Sequence, residues 1–217
     1  MGLEIKKRLN TGLFLILLLI SMFLYKSIYL FISIVIFAYS FIEFSSITKK
    51  LFKNKNVKLF FINILFILYM FILLLVLLAG INDIHLKIII FTIIIICVAS
   101  DIGGYLFGKI FKGKKLTSIS PNKTFSGSLG SFLLSSIFSY FSLSLLFNSS
   151  LLESVIIGLI ISLFVQSGDL LFSFLKRKSK IKDTGQILPG HGGLLDRIDG
   201  IIFGMPIGLI VISILII

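Results

Sequence analysis

The chain has 217 residues, of which 57% are apolar and only 14% charged, with a formal net charge of +12. Soluble globular chains carry roughly 45–50% apolar and about 25% charged residues, and with a mean hydropathy of +1.13 this composition excludes that class. The basic excess alone would admit nucleic acid as a partner, but no aromatic stacking platforms are interleaved with the basic residues, so no nucleic-acid binding is expected. The single cysteine, Cys97, lies inside an apolar run and can form no disulfide within one chain.

Apolar runs near 20 residues recur, the length a helix needs to cross a hydrocarbon core about 30 Å thick. In chain order they predict helices over 11–25, 27–46, 58–80, 86–108, 127–147, 151–173 and 200–217. The first follows Lys6, Lys7 and Arg8 and is short enough to tilt or dip rather than cross. No small-x-small cleavage site follows it, and Tyr25 and Lys26 lead straight into the next run, so it reads as mature structure rather than a signal peptide. The expected fold class is all-α: a polytopic transmembrane bundle of about seven helices in one integral domain. Residues 1–85 would form its N-terminal helices and 86–217 a catalytic half. No internal repeat of fixed period is apparent.

Positive charge orients the spans. With the N-terminus in the cytoplasm, 19 of the 21 Lys and Arg residues fall in cytoplasmic segments, leaving only Lys26 and Lys87 outside. The C-terminus is then outside. Basic cytoplasmic loops meet the anionic inner leaflet, worth about 1 kcal/mol per Lys or Arg near its surface. A multi-pass protein of the cell's inner (plasma) membrane is expected, with membrane lipids around it and its site facing the cytoplasm.

The information lies where polar residues break this pattern. Of the nine acids, Asp101 and Asp169 fall within the fourth and sixth spans. An aspartate at a helix centre costs about 2.5–3.5 kcal/mol on insertion scales, so function is the default reading. Asp101 lies about 14 residues, roughly 21 Å, inward from Lys87, and Asp169 about 16 residues, roughly 24 Å, from Glu153. Both reach the cytoplasmic leaflet. Gly103 and Gly104 beside Asp101, and Gly168 beside Asp169, permit close approach of a helix or a ligand.

Two cytoplasmic loops carry the remaining signal. Residues 116–127 bracket hydroxyls and Lys123 between Pro121 and Gly127, a composition suited to anion contacts through backbone amides and lysine. The second loop runs from Ser173 to Asp199. It holds Lys176-Arg177, then Lys182-Asp183-Thr184-Gly185, then Pro189-Gly190-His191-Gly192-Gly193-Leu194-Leu195-Asp196-Arg197-Ile198-Asp199. Asp196 and Asp199, three apart, share a face if that turn is helical, and acids there also suit a helix N-terminus.

This stretch of 27 residues resembles the diagnostic motif of the phosphatidate cytidylyltransferases at every constrained position. Ser100-Asp101 with Gly104-Tyr105, Ser120-Pro121 with Lys123-Thr124, and Gln166-Ser167-Gly168-Asp169 are also similar to that family in order and spacing. The resemblance covers about 99–205. Phe125-Ser126-Gly127 stands where the family commonly has Trp-Glu-Gly, so no acid role falls to position 126. The chain is also short for the family, which implies fewer N-terminal helices than most members have.

The resemblance implies transfer of CMP from CTP to phosphatidic acid, giving CDP-diacylglycerol and pyrophosphate. The nucleophile is already an anion, so the obstacle is repulsion between anions, which such enzymes overcome by positioning and charge neutralisation. The residues implied to act are Asp169, Asp196, Lys182, Asp183, His191 and Arg197. Ser120, Lys123, Thr124, Lys176, Arg177, Gly192 and Gly193 would meet substrate phosphates. Magnesium, with room for a second cation, would be held by Asp169 and Asp196, with Asp199 and Asp101 as further contributors. A homodimer is a further expectation. Rival readings are a CTP-dependent lipid kinase, a cytidylyltransferase for another lipid, and a transporter using Asp101 and Asp169 along its pathway.

Overall fold

The computed structural model describes residues 2–53, 55–117, 120, 123–185, 187 and 192–216, with side chains from Asn10 onward. Among the described residues the chain forms seven helices: α1 (Gly2–Leu24), α2 (Lys26–Leu51), α3 (Asn56–Ala79), α4 (Ile84–Phe111), α5 (Phe125–Phe147), α6 (Leu151–Lys178) and α7 (Leu195–Leu215). The only β-type pairing among those residues is an isolated antiparallel bridge between Lys115 and Thr124. Helices α2 to α7 are long and apolar enough to cross a membrane, whereas the described apolar part of α1, Asn10–Leu24, is shorter. The protein is a multi-pass, all-α bundle.

Two helices exceed their expected limits at the ends that carry the motifs. Helix α6 runs to Lys178 because Lys176, Arg177 and Lys178 occupy its last turn, where cations complement the negative end of the helix dipole. It stops at Lys180, whose φ of 56° is left-handed. There the Lys180 and Ile181 amides turn back to the carbonyls of Arg177 and Lys176, both at 3.0 Å, a Schellman closure. Helix α7 starts at Leu195 rather than 200, with Asp196 in its first turn, where acid meets the positive end of the dipole.

The chain folds as two compact units: Met1–Lys87 with Leu175–Ile198, and Ile88–Phe174 with Asp199–Ile217. The motif segment 175–198 thus groups with the N-terminal helices. Within that first unit α2 packs on α1 and α3, and Phe44 stacks on Phe66 with ring centroids 3.8 Å apart. The Ser179 hydroxyl donates to the Ile47 carbonyl at 3.2 Å, tying the end of α6 to α2. Lys87, 5% exposed, donates to the Phe23 carbonyl at 2.6 Å and lies over the rings of Phe23 and Tyr29, so its charge is met by a carbonyl and two π faces.

The second unit is built on close helix approach. Without a hydrophobic force between helices in lipid, small residues let backbones meet and gain packing contacts. A Cβ on Gly103 would stand 2.7 Å from the Gly130 carbonyl carbon, and one on Gly127 would stand 2.8 Å from the Gly104 oxygen, so α4 and α5 touch backbone to backbone. Gly200, Gly204 and Gly208, each one turn from the next, seat α7 on Val165 and Ile161 of α6 and on Cys97 and Ile93 of α4. Ile93, Cys97, Ile161 and Val165 are fully buried. Polar groups are paired across this core: the Ser100 and Ser162 hydroxyls lie 2.8 Å apart, and Ser131 donates to the Ser100 carbonyl at 2.8 Å.

A methyl group forced between α4 and α5 should therefore be costly. Gly103→Ala is expected to destabilise the purified protein by about 1–3 kcal/mol through overpacking. Gly12→Ala, at a position with nothing within 4 Å, should leave it unchanged. Thermal denaturation in detergent checks both.

Candidate active site

In the second unit, the residues before α5 bring a cation onto an intramembrane acid. The Lys123 amide closes a turn on the Ser120 carbonyl at 3.0 Å. The Lys123 ammonium ion-pairs with the Asp169 carboxylate of α6. The other Asp169 oxygen lies 3.4 Å from the Ser173 hydroxyl. Thr124, expected at a phosphate, is the N-cap of α5: its Oγ1 accepts the Gly127 amide at 3.1 Å. Ser126, standing where the family commonly has an acid, donates to the Lys112 carbonyl.

Gln166, three residues before Asp169 on α6, joins a polar relay that crosses from α5 to α4. The Ser128 hydroxyl donates to Gln166 Oε1 at 2.5 Å, and Gln166 Nε2 donates to the Ser162 hydroxyl at 3.1 Å. Ser162 in turn meets Ser100, the neighbour of Asp101. Asp101 itself is exposed. Asp199 is buried, with one oxygen 2.9 Å from the Gly200 amide. A Cβ on Gly168 would stand 2.6 Å from the Asp199 carbonyl oxygen, so this motif glycine serves the contact of α6 with α7.

In the first unit the motif residues organise around Asp196, whose side chain is 6% exposed. Its Oδ1 pairs with Lys176 Nζ at 2.7 Å. Its Oδ2 accepts the Thr184 amide at 2.8 Å, the Thr184 hydroxyl at 3.0 Å and the Gly193 amide at 3.0 Å. Gly192, with φ of 83°, passes between Asp196 and Asp183, where a Cβ would stand 2.9 Å from the Asp196 carboxylate. Arg177, Lys182, Asp183 and Arg197 are exposed. His191 lies outside the described residues.

Glu43 of α2 completes this arrangement and was missed in the sequence. It is 4% exposed, and its carboxylate accepts the Thr184 hydroxyl at 2.8 Å and the Leu194 and Leu195 amides at 3.0 and 2.7 Å. The signal was present: Glu43 lies inside the span predicted over 27–46, and the rule that singled out Asp101 and Asp169 applies to it equally.

A family model described as the Cytidylyltransferase family matches residues 4–215. The chain belongs to this family. A phosphatidate cytidylyltransferase of Helicobacter pylori (strain J99) is 40% identical over 112 residues, which are 52% of this chain and 42% of that protein. One of Staphylococcus aureus (strain COL) is 46% identical over 110 residues, 50% of this chain and 42% of that protein. One of Staphylococcus saprophyticus is 44% identical over a stretch of the same extent. The matched stretch thus spans less than half the length of each of these curated relatives.

The magnesium expected from the resemblance can be weighed against these side chains. A carboxylate offers about four lone-pair sites; Asp196 meets the Lys176 ammonium and the Thr184 and Gly193 amides, and shares the Thr184 hydroxyl with Glu43. Among the described residues no group of three or more acid, histidine or cysteine side chains is gathered for a metal. To hold magnesium as the resemblance implies, Asp196 would have to give up one or more of these donors. Asp169 fits: its side chain is 35% exposed, and magnesium is commonly held by one or two carboxylates plus substrate phosphates rather than by an all-protein cage.

Removing the cation from the Asp196 network should expose this engagement as stability. Lys176→Met leaves a largely buried carboxylate without its counter-ion and is expected to cost about 3 kcal/mol. Lys50→Met, at an exposed position, should stay within about 0.5 kcal/mol. Denaturation of both variants in detergent, compared with the parent, measures the difference.

Proposed function

We propose that this family member transfers CMP from CTP to phosphatidic acid, giving CDP-diacylglycerol and pyrophosphate, at the cytoplasmic face of the cell membrane. The observation that carries the reading is the Lys123–Asp169 pair before the first turn of α5. It puts a lysine, a carboxylate and a helix N-terminus within reach of one polyphosphate, and helix N-termini favour anions. The names of the matched relatives supply the lipid and the nucleotide.

The chemistry needs little from a general base. A phosphatidate oxygen, already anionic, attacks the α-phosphorus of CTP; the bond to the bridging oxygen breaks, and its electrons leave with pyrophosphate. The barrier is anion–anion repulsion, so the residues supply countercharge and alignment. Lys123 exchanges the Asp169 carboxylate for a phosphate oxygen when the nucleotide binds. Asp169, released from that pair, is the carboxylate that would hold magnesium, whose bound form would add positive charge between the phosphates. Arg177, Lys182 and Arg197 meet phosphates from exposed positions, Arg177 and Arg197 by bidentate contacts. Asp196 and Lys176 fix the backbone of 184 and 193, so the adjoining Gly192 and Arg197 are presented in one arrangement. His191 contacts a phosphate.

The test is magnesium-dependent conversion of CTP and phosphatidate by the purified full chain, with label in the α- or the γ-phosphate. Label in the lipid from the α position alone is expected; transfer of γ label would point to a lipid kinase, and solute flux without CTP dependence to a transporter. Asp169→Asn is expected to abolish turnover or to demand far more magnesium, whereas Lys123→Ala should raise the CTP requirement and leave the magnesium requirement nearly unchanged. His191→Gln is expected to raise KM with a modest kcat loss and an unshifted pH profile. A general acid would instead show a kcat loss of about 10²–10⁴-fold. Reporter fusions should place residues 53, 114 and 180 in the cytoplasm and residues 82 and 149 outside.

A further inference from the structure

Helix N-termini are ordinarily capped by a local Ser, Thr, Asp or Asn side chain, because the first amides have no partner within the helix. The residue that precedes α7 is Leu194, which has no acceptor to offer. The acceptor comes instead from α2, about 150 residues away in the chain. Glu43 Oε1 takes the Leu194 amide and Oε2 takes the Leu195 amide, at 3.0 and 2.7 Å. Nothing in the motif that singles out Asp196 and Arg197 contains this residue.

Two further observations bind Glu43 to the motif itself. A Cβ added to Gly193 would stand 2.6 Å from each Glu43 carboxylate oxygen, and one on Gly185 would meet the same carboxylate. Both glycines are motif positions, and both leave the space that the Glu43 head group occupies. The Thr184 hydroxyl lies 2.8 Å from Glu43 Oε2 and 3.0 Å from Asp196 Oδ2. It carries one proton for two acceptors, so the placement of one carboxylate sets how the hydroxyl serves the other. A charged acceptor strengthens each of these bonds.

We propose that Glu43 is a positioning residue for the transfer reaction: it locks Thr184 and the first turn of α7 so that Asp196 and Arg197 are held in one productive arrangement. This rests on the reading of the protein as a cytidylyltransferase. Glu43 touches neither substrate. It acts through Thr184 and through the Leu194 and Leu195 amides, and the two glycines exist in the motif to admit it.

The experiment uses the full chain in detergent and compares Glu43→Gln, Thr184→Val and the double variant with the parent. CMP transfer from α-labelled CTP is measured per folded, monodisperse protein. Glutamine keeps the shape of Glu43 but turns an NH2 group toward a backbone donor. Misplacing a reacting constellation by about 1 Å costs up to about a hundredfold. Glu43→Gln is accordingly expected to lower kcat roughly ten- to hundredfold and to leave KM for CTP within about threefold. The double variant should lose no more than the worse single variant, since the two residues act in one lock.

Hydrogen exchange supplies a readout independent of the reaction. Faster amide exchange confined to 193–197 is expected in Glu43→Gln. Full kcat in folded Glu43→Gln, a loss expressed only in KM, or strictly additive losses in the double variant would overturn the proposal. Should Glu43→Gln not fold, Thr184→Val alone decides between the same kcat loss and none. If the parent itself transfers no CMP, the cytidylyltransferase reading fails, and exchange over 193–197 then decides whether Glu43 locks the segment.

Discussion

A carboxylate inside an apolar helical bundle must be surrounded by donors, because the cost of burying its charge otherwise exceeds anything packing returns. That constraint organises this protein. Glu43, Asp169 and Asp196 are each met by a matching set: two backbone amides for Glu43, an ammonium for Asp169, and an ammonium and two amides for Asp196, with the single Thr184 hydroxyl lying between Glu43 and Asp196. Satisfying these groups dictates where α7 begins, which glycines must lack side chains, and which lysine stays close to which acid. The helices supply a frame, and the paired charges determine the conformation of the segments between them.

The two acids used by the proposed chemistry are supported in different ways, and this separates their roles. Asp169 has one ionic partner and a distant hydroxyl, and about a third of its side chain is open. Such a group can exchange partners when a ligand arrives. Asp196 is largely buried and holds the Thr184 and Gly193 backbone together with the Lys176 ammonium, so it also fixes the geometry of that segment. Lysine suits the exchangeable partner because it acts as a flexible point charge, whereas a bidentate arginine would hold Asp169 in a fixed fork.

Much of the fold was legible in the sequence because lipid admits few solutions: runs near 20 apolar residues had to be helices, and each of the seven predicted runs has its helix. Their ends were less legible. The basic tail of α6 and the acidic start of α7 read as loop by hydropathy, yet Lys176 to Lys178 and Asp196 complement the helix dipoles and extend the helices by several residues. Lys176 and Asp196 were singled out because their motif is contiguous, whereas Thr184 fills an unconstrained position of that motif and its bonds to Asp196 and Glu43 appear only in the fold. Glu43 could have been flagged as an acid within a span, but its partners could not, since its relation to Leu194 and Leu195 is purely tertiary. Thr124 was read as a phosphate contact, but a threonine placed before an apolar run is equally an N-cap, and here its oxygen is on the Gly127 amide.

The glycine-lined face of α7 has a consequence for the surroundings that helix accepts. Gly200, Gly204 and Gly208 leave little side chain on that face, and Pro206 interrupts the hydrogen-bond ladder within it. Alone in a bilayer, such a helix presents bare backbone on its glycine face and, because proline has no N–H to donate, one less ladder bond elsewhere, a poor match to acyl chains. Its stable surroundings are the Ile93, Cys97, Ile161 and Val165 side chains of α4 and α6. The glycine face of α7 is thus matched to protein rather than to lipid, and a side chain added there would have to displace α4 or α6.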